Sequence, residues 1–287
     1  MLEDLPLTTW AGPYDAAVKT RAVAALERGA VLFFPHLPFV MRDDEKPFLD
    51  ARVADGKAKN ISLDHNTGKL QATSLTGHDA ERLKTMIERF GSGAAQLIND
   101  LLPYRNVERA RTSYRPVQVK GRSYSKISDD RLLHIDAFPS RPMQGRRILR
   151  FFSNIAPISS RNWEVGQPFE DFVRTFLPRV KPHLPGKSWA FGKLGVTHGQ
   201  RSRYDELMLS LHDAAKLDAD FQATSPHHAI SFPPGCSWLV FTDQVLHAAL
   251  GGEFALEQTF HLDVEQMAEP ERAPLKVLER LSGKVLA

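Results

Sequence analysis

Apolar residues recur at helical spacing over residues 14–28 (YDAAVKTRAVAALER), and the run stops at Gly29, which predicts an amphipathic helix ended by glycine. AVLFFP at residues 30–35 then reads as a short buried strand closed by proline. Over residues 79–101, Leu83, Met86, Ile87, Phe90, Leu97, Ile98 and Leu101 mark a long helix with one apolar face. From about residue 107 the pattern changes to short β-like runs punctuated by Pro, Gly or Asp. The clearest are ARTSYRPVQV, RLLHIDAF, RRILRFFSNI, AISFPPG, CSWLVFTD and EFALEQTFHLDV. PFEDFVRTFLPRV near 168–180 and RYDELMLSLHDAAKL near 203–217 read as helical insertions among them.

Many short strands late in the chain predict an α+β fold with a mainly β core. The expected form is a double-stranded β-helix, or jelly roll, of cupin-like type with N-terminal helical support. Helices and strands do not alternate regularly, which disfavours a doubly wound parallel sheet. The expected layout is one catalytic domain over 1–287. Within it lie a mostly helical support region (1–105), a β core (106–265) with inserts at 158–226, and a C-terminal helix (266–287).

At 42% hydrophobic, 287 residues suffice for a sizeable core. No run of about 18 apolar residues is present, so no transmembrane helix is expected. MLEDLPLTTWAG has neither the basic nor the apolar region of a secretory signal. The single cysteine, Cys236, excludes a disulfide framework and Cys-rich metal sites. A cytoplasmic address is the expectation.

The net charge of +3 is too small to suggest nucleic acid as a partner. Its distribution says more, because between Arg105 and Arg150 ten Lys and Arg residues meet few acids. Such a region suits an anionic partner, whether phosphate, carboxylate or an acidic membrane surface, and is also compatible with a solvated basic face. At the C-terminus Leu275, Leu278, Leu281 and Val285 keep helical spacing beside a stripe of Lys276, Arg280 and Lys284. That pattern fits a helix lying on anionic lipid, and equally one docked on the protein's own core.

The candidate chemistry starts at RLLHIDAFPSRP. In an extended segment His134 and Asp136 face the same side while Ile135 faces the other. Two histidines and one carboxylate on one face make the facial triad of non-haem Fe(II) oxygenases. His-x-Asp alone is not specific, since His261-Leu262-Asp263 is a second copy. No histidine follows His261, so that copy reads as the exposed edge of a terminal strand. The first copy is followed, 113 residues on, by His247, just after a Pro233-Pro234-Gly235 turn and the strand CSWLVFTD. His247 alone fits a core histidine as well as a ligand; the three residues together favour a metal.

HIDAFPSRPMQGRRILRFFSNIAP and PPGCSWLVFTDQVLHAALGGEFALEQTF resemble the bacterial Kdo hydroxylase family, most strongly over residues 120–265. The resemblance implies a dioxygenase that uses Fe(II), 2-oxoglutarate and O2 to hydroxylate C3 of 3-deoxy-D-manno-oct-2-ulosonic acid (Kdo) in the inner core of lipopolysaccharide. It implies iron held by His134, Asp136 and His247, with ascorbate as a possible stimulant. The substrate it implies is a Kdo-lipid A glycolipid, met at the inner face of the inner membrane. Other readings are the same chemistry on a protein side chain or a small acid, and a non-catalytic jelly-roll carbohydrate-binding module. Oligomeric state is not legible.

The far carboxylate of 2-oxoglutarate needs a cation, best a guanidinium. Gln258 and Thr259 sit where many such oxygenases carry an arginine past the distal histidine, and Gln258 is an expected 2-oxoglutarate contact. Arg150, in the strand after the first His-x-Asp, is then the expected clamp, with Arg147 second. Arg150 is also open to a structural pairing with a buried acid. Tyr124 and Ser125 are candidates to hydrogen-bond co-substrate or substrate. Arg141 is the expected substrate contact, with Arg122, Arg115 and Arg111, and further along Arg201 and Arg203, behind it.

Overall fold

SWLVF is apolar at every position but the first, the composition of a strand covered on both faces. In the computed structural model, which describes residues 1–121, 125–180 and 200–287, it is buried throughout, inside an eight-stranded sheet. The strands in chain order are β1 (Leu2–Asp4), β2 (Val31–Phe34), β3 (Ile61–Leu63), β4 (Leu70–Gln71), β5 (Glu108–Arg115) and β6 (Arg147–Asn154). They continue as β7 (Arg161–Gly166), β8 (His227–Phe232), β9 (Ser237–Phe241), β10 (His247–Gly251) and β11 (Ala255–Leu262). The large sheet runs β1-β2-β9-β6-β11-β5-β3-β4, antiparallel except between β1 and β2. A smaller antiparallel sheet runs β10-β7-β8.

The two sheets face each other through aromatic side chains. Phe152 and Trp238 of the large sheet stack with centroids 5.0 Å apart, and Trp163 of the small sheet stands edge-on to both. This is the jelly-roll core that the strand pattern predicts. The other face of the large sheet is covered by α1 (Ala16–Glu27) and α2 (Gly77–Leu101). Along β6 the alternation of a pleated strand sends Leu149 and Phe151 toward that helical layer, and Arg150 and Phe152 toward the small sheet. The apolar face of α2 includes Leu83, Met86, Ile87, Phe90, Ala94, Leu97 and Ile98, all buried. Gly91 lets the helix approach the sheet, because a side chain there would strike the Arg109 guanidinium and come within 2.6 Å of Gln258 Oε1.

The later helices are α3 (Phe169–Phe176), α4 (Arg203–Leu217), α5 (Ala219–Thr224) and α6 (Pro274–Ser282). Leu275, Val277 and Leu278 of α6 are buried in the main core, and Arg280 pairs with Glu170 of α3 at 2.7 Å. The helix therefore docks on the protein itself through these residues, while Val285, beyond its end, is exposed. Among the described residues no helix is long and apolar enough to cross a membrane.

Four expectations need correction. Residues 1–105 are less helical than predicted, since β1 to β4 join the large sheet; at two to four residues they are too short to show a period. The stretch 158–226 contains β7, a central strand of the small sheet, as well as helices. RLLHIDAF is an extended segment tied to the sheet by one bridge and is not a full strand. His261 is not on an exposed edge: β11 lies between β6 and β5, and His261 is buried.

Candidate metal centre

The bridge that replaces the expected strand builds the site. His134 N–H donates to the His247 carbonyl at 3.0 Å, and His247 N–H donates back to the His134 carbonyl at 2.9 Å. Asp136 N–H donates to the Thr242 carbonyl at 2.8 Å, pinning the HxD segment at both ends. His247 opens β10 instead of sitting in a connection. One ligand atom from each of His134, Asp136 and His247 lies within 4.8 Å of the others. The Nδ1 of His134 bonds the Leu132 carbonyl at 2.7 Å, and that of His247 bonds the Val245 carbonyl at 2.9 Å. Those bonds place the protons on Nδ1 and leave both Nε2 lone pairs for a cation.

The electrostatics agree. Burial pushes both imidazoles below their ordinary range, and at His134 the neighbouring His247 and Lys216 push the same way. Burial acts in the opposite sense on Asp136, but Arg150, His247 and His134 outweigh it and hold the carboxyl down at about 2. Two neutral imidazoles beside a carboxylate are the protonation states that metal binding requires. Asp136 Oδ2 is buried and accepts no hydrogen bond; its partner is the Arg150 guanidinium in an ion pair at 3.1 Å, and the oxygen keeps a lone pair for a metal cation. The donor set fits Fe(II).

The triad opens on a cavity of about 350 Å³. Arg150 reaches its wall from β6, with Nη2 3.1 Å from Asp136 Oδ2 and Nη1 3.4 Å from Glu257 Oε1. Arg115 lines the same wall and donates from Nε to Glu257 Oε2 at 2.9 Å. Arg141 lies in an adjoining cavity of about 280 Å³ with Arg111 and His261. Arg201 bonds the Pro139 carbonyl, while the Ser125 side chain bonds Ser128. Arg122 and Tyr124 lie outside the described residues.

Two expected 2-oxoglutarate contacts are turned away from this cavity. Arg147 is fully buried on the opposite side of β6, donating to Asp243 and Gln244, with its guanidinium 3.7 Å from the Phe241 ring centroid. Gln258 points under α2, where it accepts from Thr112 at 2.5 Å and from Arg109. Both fall one residue out of phase with the cavity-lining positions, and one residue is enough to change face.

The site and the sandwich around it are matched by known proteins. A family profile described as 3-deoxy-D-manno-oct-2-ulosonic acid (Kdo) hydroxylase matches residues 9–285. The chain belongs to the Kdo hydroxylase family. A crystal structure of the Kdo hydroxylase KdoO, a non-haem Fe(II) and α-ketoglutarate-dependent dioxygenase, holds α-ketoglutarate and Fe(III). It is similar with 41% identity and a TM-score of 0.96, over 100% of this chain and 97% of that one. KdoO structures with cobalt(II), and with succinate and Fe(III), are 42% identical with TM-scores of 0.96, over 99% of this chain and 97% of theirs. A search of curated proteins gives no match.

Sequence reasoning missed part of this Kdo hydroxylase site. Trp163 stacks on His247 with centroids 5.0 Å apart, and Arg161 lines the cavity while donating to the Gly252 carbonyl at 2.9 Å. Both come from β7, whose Arg161-x-Trp163-x-Val165 alternation carries the period of two that would have revealed it. Lys59, His212 and Lys216 also line the cavity. They come from a loop and from α4, which only the folded chain brings together.

Proposed function

We propose that this chain hydroxylates C3 of Kdo in a Kdo-lipid A glycolipid. As a Kdo hydroxylase it is a non-haem Fe(II)- and 2-oxoglutarate-dependent dioxygenase, and the observation that carries the reading is the His134, Asp136 and His247 triad inside a family match of nearly full length. When bound, Fe(II) supplies the O2-dependent oxidation of the co-substrate and of the sugar C–H bond.

The residues have separable tasks. The Leu132 and Val245 carbonyls fix the two imidazole rings, so the ligand set is preorganised. Arg150 holds the far carboxylate of 2-oxoglutarate, with Arg115 and Arg161 adding positive charge on that side of the cavity. Phe152 and Trp163 make an apolar wall that keeps water from the reacting centre. Arg141 and Arg111 contact the anionic glycolipid where the second cavity opens outward. The same reading places the chain against anionic lipid at the cytoplasmic face of the inner membrane.

Succinate formation by anaerobically Fe(II)-loaded protein, given 2-oxoglutarate and then O2, tests the proposal. Kdo-lipid A is expected to stimulate it and to gain one oxygen on the sugar, with both lost in His134→Ala and His247→Ala. Succinate that the glycolipid does not stimulate would redirect the search to a protein or small-acid substrate. No succinate from folded, iron-loaded protein would favour the carbohydrate-binding module.

A further inference from the structure

Among the described residues, one lysine in the cavity of the metal triad has no acid paired with it. Lys216 is the last but one residue of α4, and only 3% of it is exposed. Its Nζ donates to the Ile127 carbonyl at 2.9 Å. Among the described residues it forms no ion pair, although it lines the same cavity as the metal triad. One turn earlier on α4, the His212 ring meets His134 edge-on with centroids 5.6 Å apart, so this helix face closes the cavity beside the metal. Lys59, the other lysine described in this cavity, is engaged with Asp130 at 2.8 Å.

Charge balance points to what is missing. Among the described residues the cavity is lined by Lys59, Arg115, Arg150, Arg161 and Lys216, against Asp130 and Asp136, with Glu257 behind Arg115. That leaves an excess of two positive charges. Fe(II) and the 2-oxoglutarate dianion cancel each other, so the excess persists in the loaded site. A buried ammonium left with one carbonyl is costly, and an incoming anion would relieve the cost. Burial already presses the Lys216 ammonium toward the neutral form, with Asp130 opposing it.

We infer that Lys216 is the cation that receives an anionic oxygen group of the substrate, in the same cavity as the arginines that take 2-oxoglutarate. The inference rests on the proposed Kdo-lipid A reading. Two groups of that glycolipid share this chemistry, the Kdo carboxylate and the lipid A phosphates. Lys216 is thereby a specificity residue that separates a sugar acid from a neutral sugar, and His212 shapes the wall beside it.

The test is equilibrium binding of Kdo-lipid A to the Fe(II)- and 2-oxoglutarate-loaded enzyme without O2. Lys216→Met is expected to weaken binding about 30-fold or more, equivalent to roughly 2 kcal/mol, while 2-oxoglutarate affinity stays within about threefold. Lys216→Arg keeps the charge and is expected to recover part of the loss. For the wild type, the Kdo methyl ester should lose a similar factor if the carboxylate is the group held, and the dephosphorylated glycolipid if a phosphate is. Whichever it is, that modification should cost little further in Lys216→Met. Wild-type affinity in folded Lys216→Met would overturn the inference while leaving the substrate reading intact. No binding of Kdo-lipid A by the wild type would overturn both. If Lys216→Met does not fold, the wild-type arm decides: insensitivity to both modifications overturns the inference.

Discussion

Trp163 lies nearly parallel to the His247 ring, with centroids 5.0 Å apart and 23° between the planes. The stack joins the aromatic core of the sandwich to a metal-ligand candidate, because Trp163 also packs edge-on against Phe152 and Trp238. Together with the Val245 carbonyl it leaves the imidazole one orientation. Trp163→Leu is expected to weaken Co(II) binding about 10-fold, read from the visible absorption of the bound metal, and Trp163→Phe by no more than about threefold. Unchanged affinity in the folded leucine variant would mean that the stack does not orient the ligand.

His261 belongs to the second HxD pair, which sequence reasoning left outside the metal site, and its pKa gives the fold a dependence on acid. Burial pulls its pKa down from 6.5 to about 4, against the pull of Glu108 and with Arg146, Arg141 and Arg150 adding to the effect. The folded state thus keeps the ring neutral where the unfolded chain would protonate it. The resulting stability is complete above about pH 6.5 and is lost as pH falls from there to about 4. His261→Gln is expected to shrink the stability difference between pH 7 and pH 4.5 by roughly 2–3 kcal/mol, measured by urea unfolding at each pH. Parallel pH profiles for variant and wild type would refute the assignment.

Arg147 and Asp243 illustrate how a functional expectation turned into a structural one. Their buried pair has Arg147 Nε 2.7 Å from Asp243 Oδ2, and burial raises the Asp243 carboxyl in spite of that partner. Arg147→Met strands a buried carboxylate and is expected to cost about 3–5 kcal/mol, lowering Tm by roughly 6–10 °C. Adding Asp243→Asn should restore at least half of the loss, and Co(II) affinity should stay near wild type in both. A loss of metal binding without a loss of stability would place Arg147 back at the site.

The triad was readable in the chain because its spacing survives in one dimension. The HxD pair tolerates the loss of regular strand pairing around it, since two alternate residues of any extended segment share a face. The turn before β9 then marked where the second imidazole falls. The sequence ranks Arg150 above Arg147, but which face of the strand meets the metal was not readable, because residues three apart on one strand lie on opposite faces and each face of β6 is lined by buried side chains. Gln258 failed for the same reason: its neighbours Glu257 and Thr259 face the Arg150 side. Lys216 and His212 left no linear trace, as α4 and the HxD segment meet only through the fold.

Arg150 stands between the metal site and the co-substrate, and its two contacts predict effects of opposite sign. Toward 2-oxoglutarate it offers a fork of donors, so Arg150→Met is expected to weaken co-substrate binding about 30-fold or more, and Arg150→Lys by a smaller factor. Toward the metal it is a competing cation, 3.1 Å from Asp136 Oδ2 and a main cause of that carboxyl's low pKa after burial, which acts the other way. Removing it returns negative potential to the ligand set, so Fe(II) or Co(II) affinity in Arg150→Met should equal or exceed wild type at pH 7. Separate titrations of metal and of 2-oxoglutarate distinguish the two roles. Both affinities falling together would show that Arg150 is needed to shape the triad itself, and the co-substrate clamp would then have to be sought in Arg115 or Arg161.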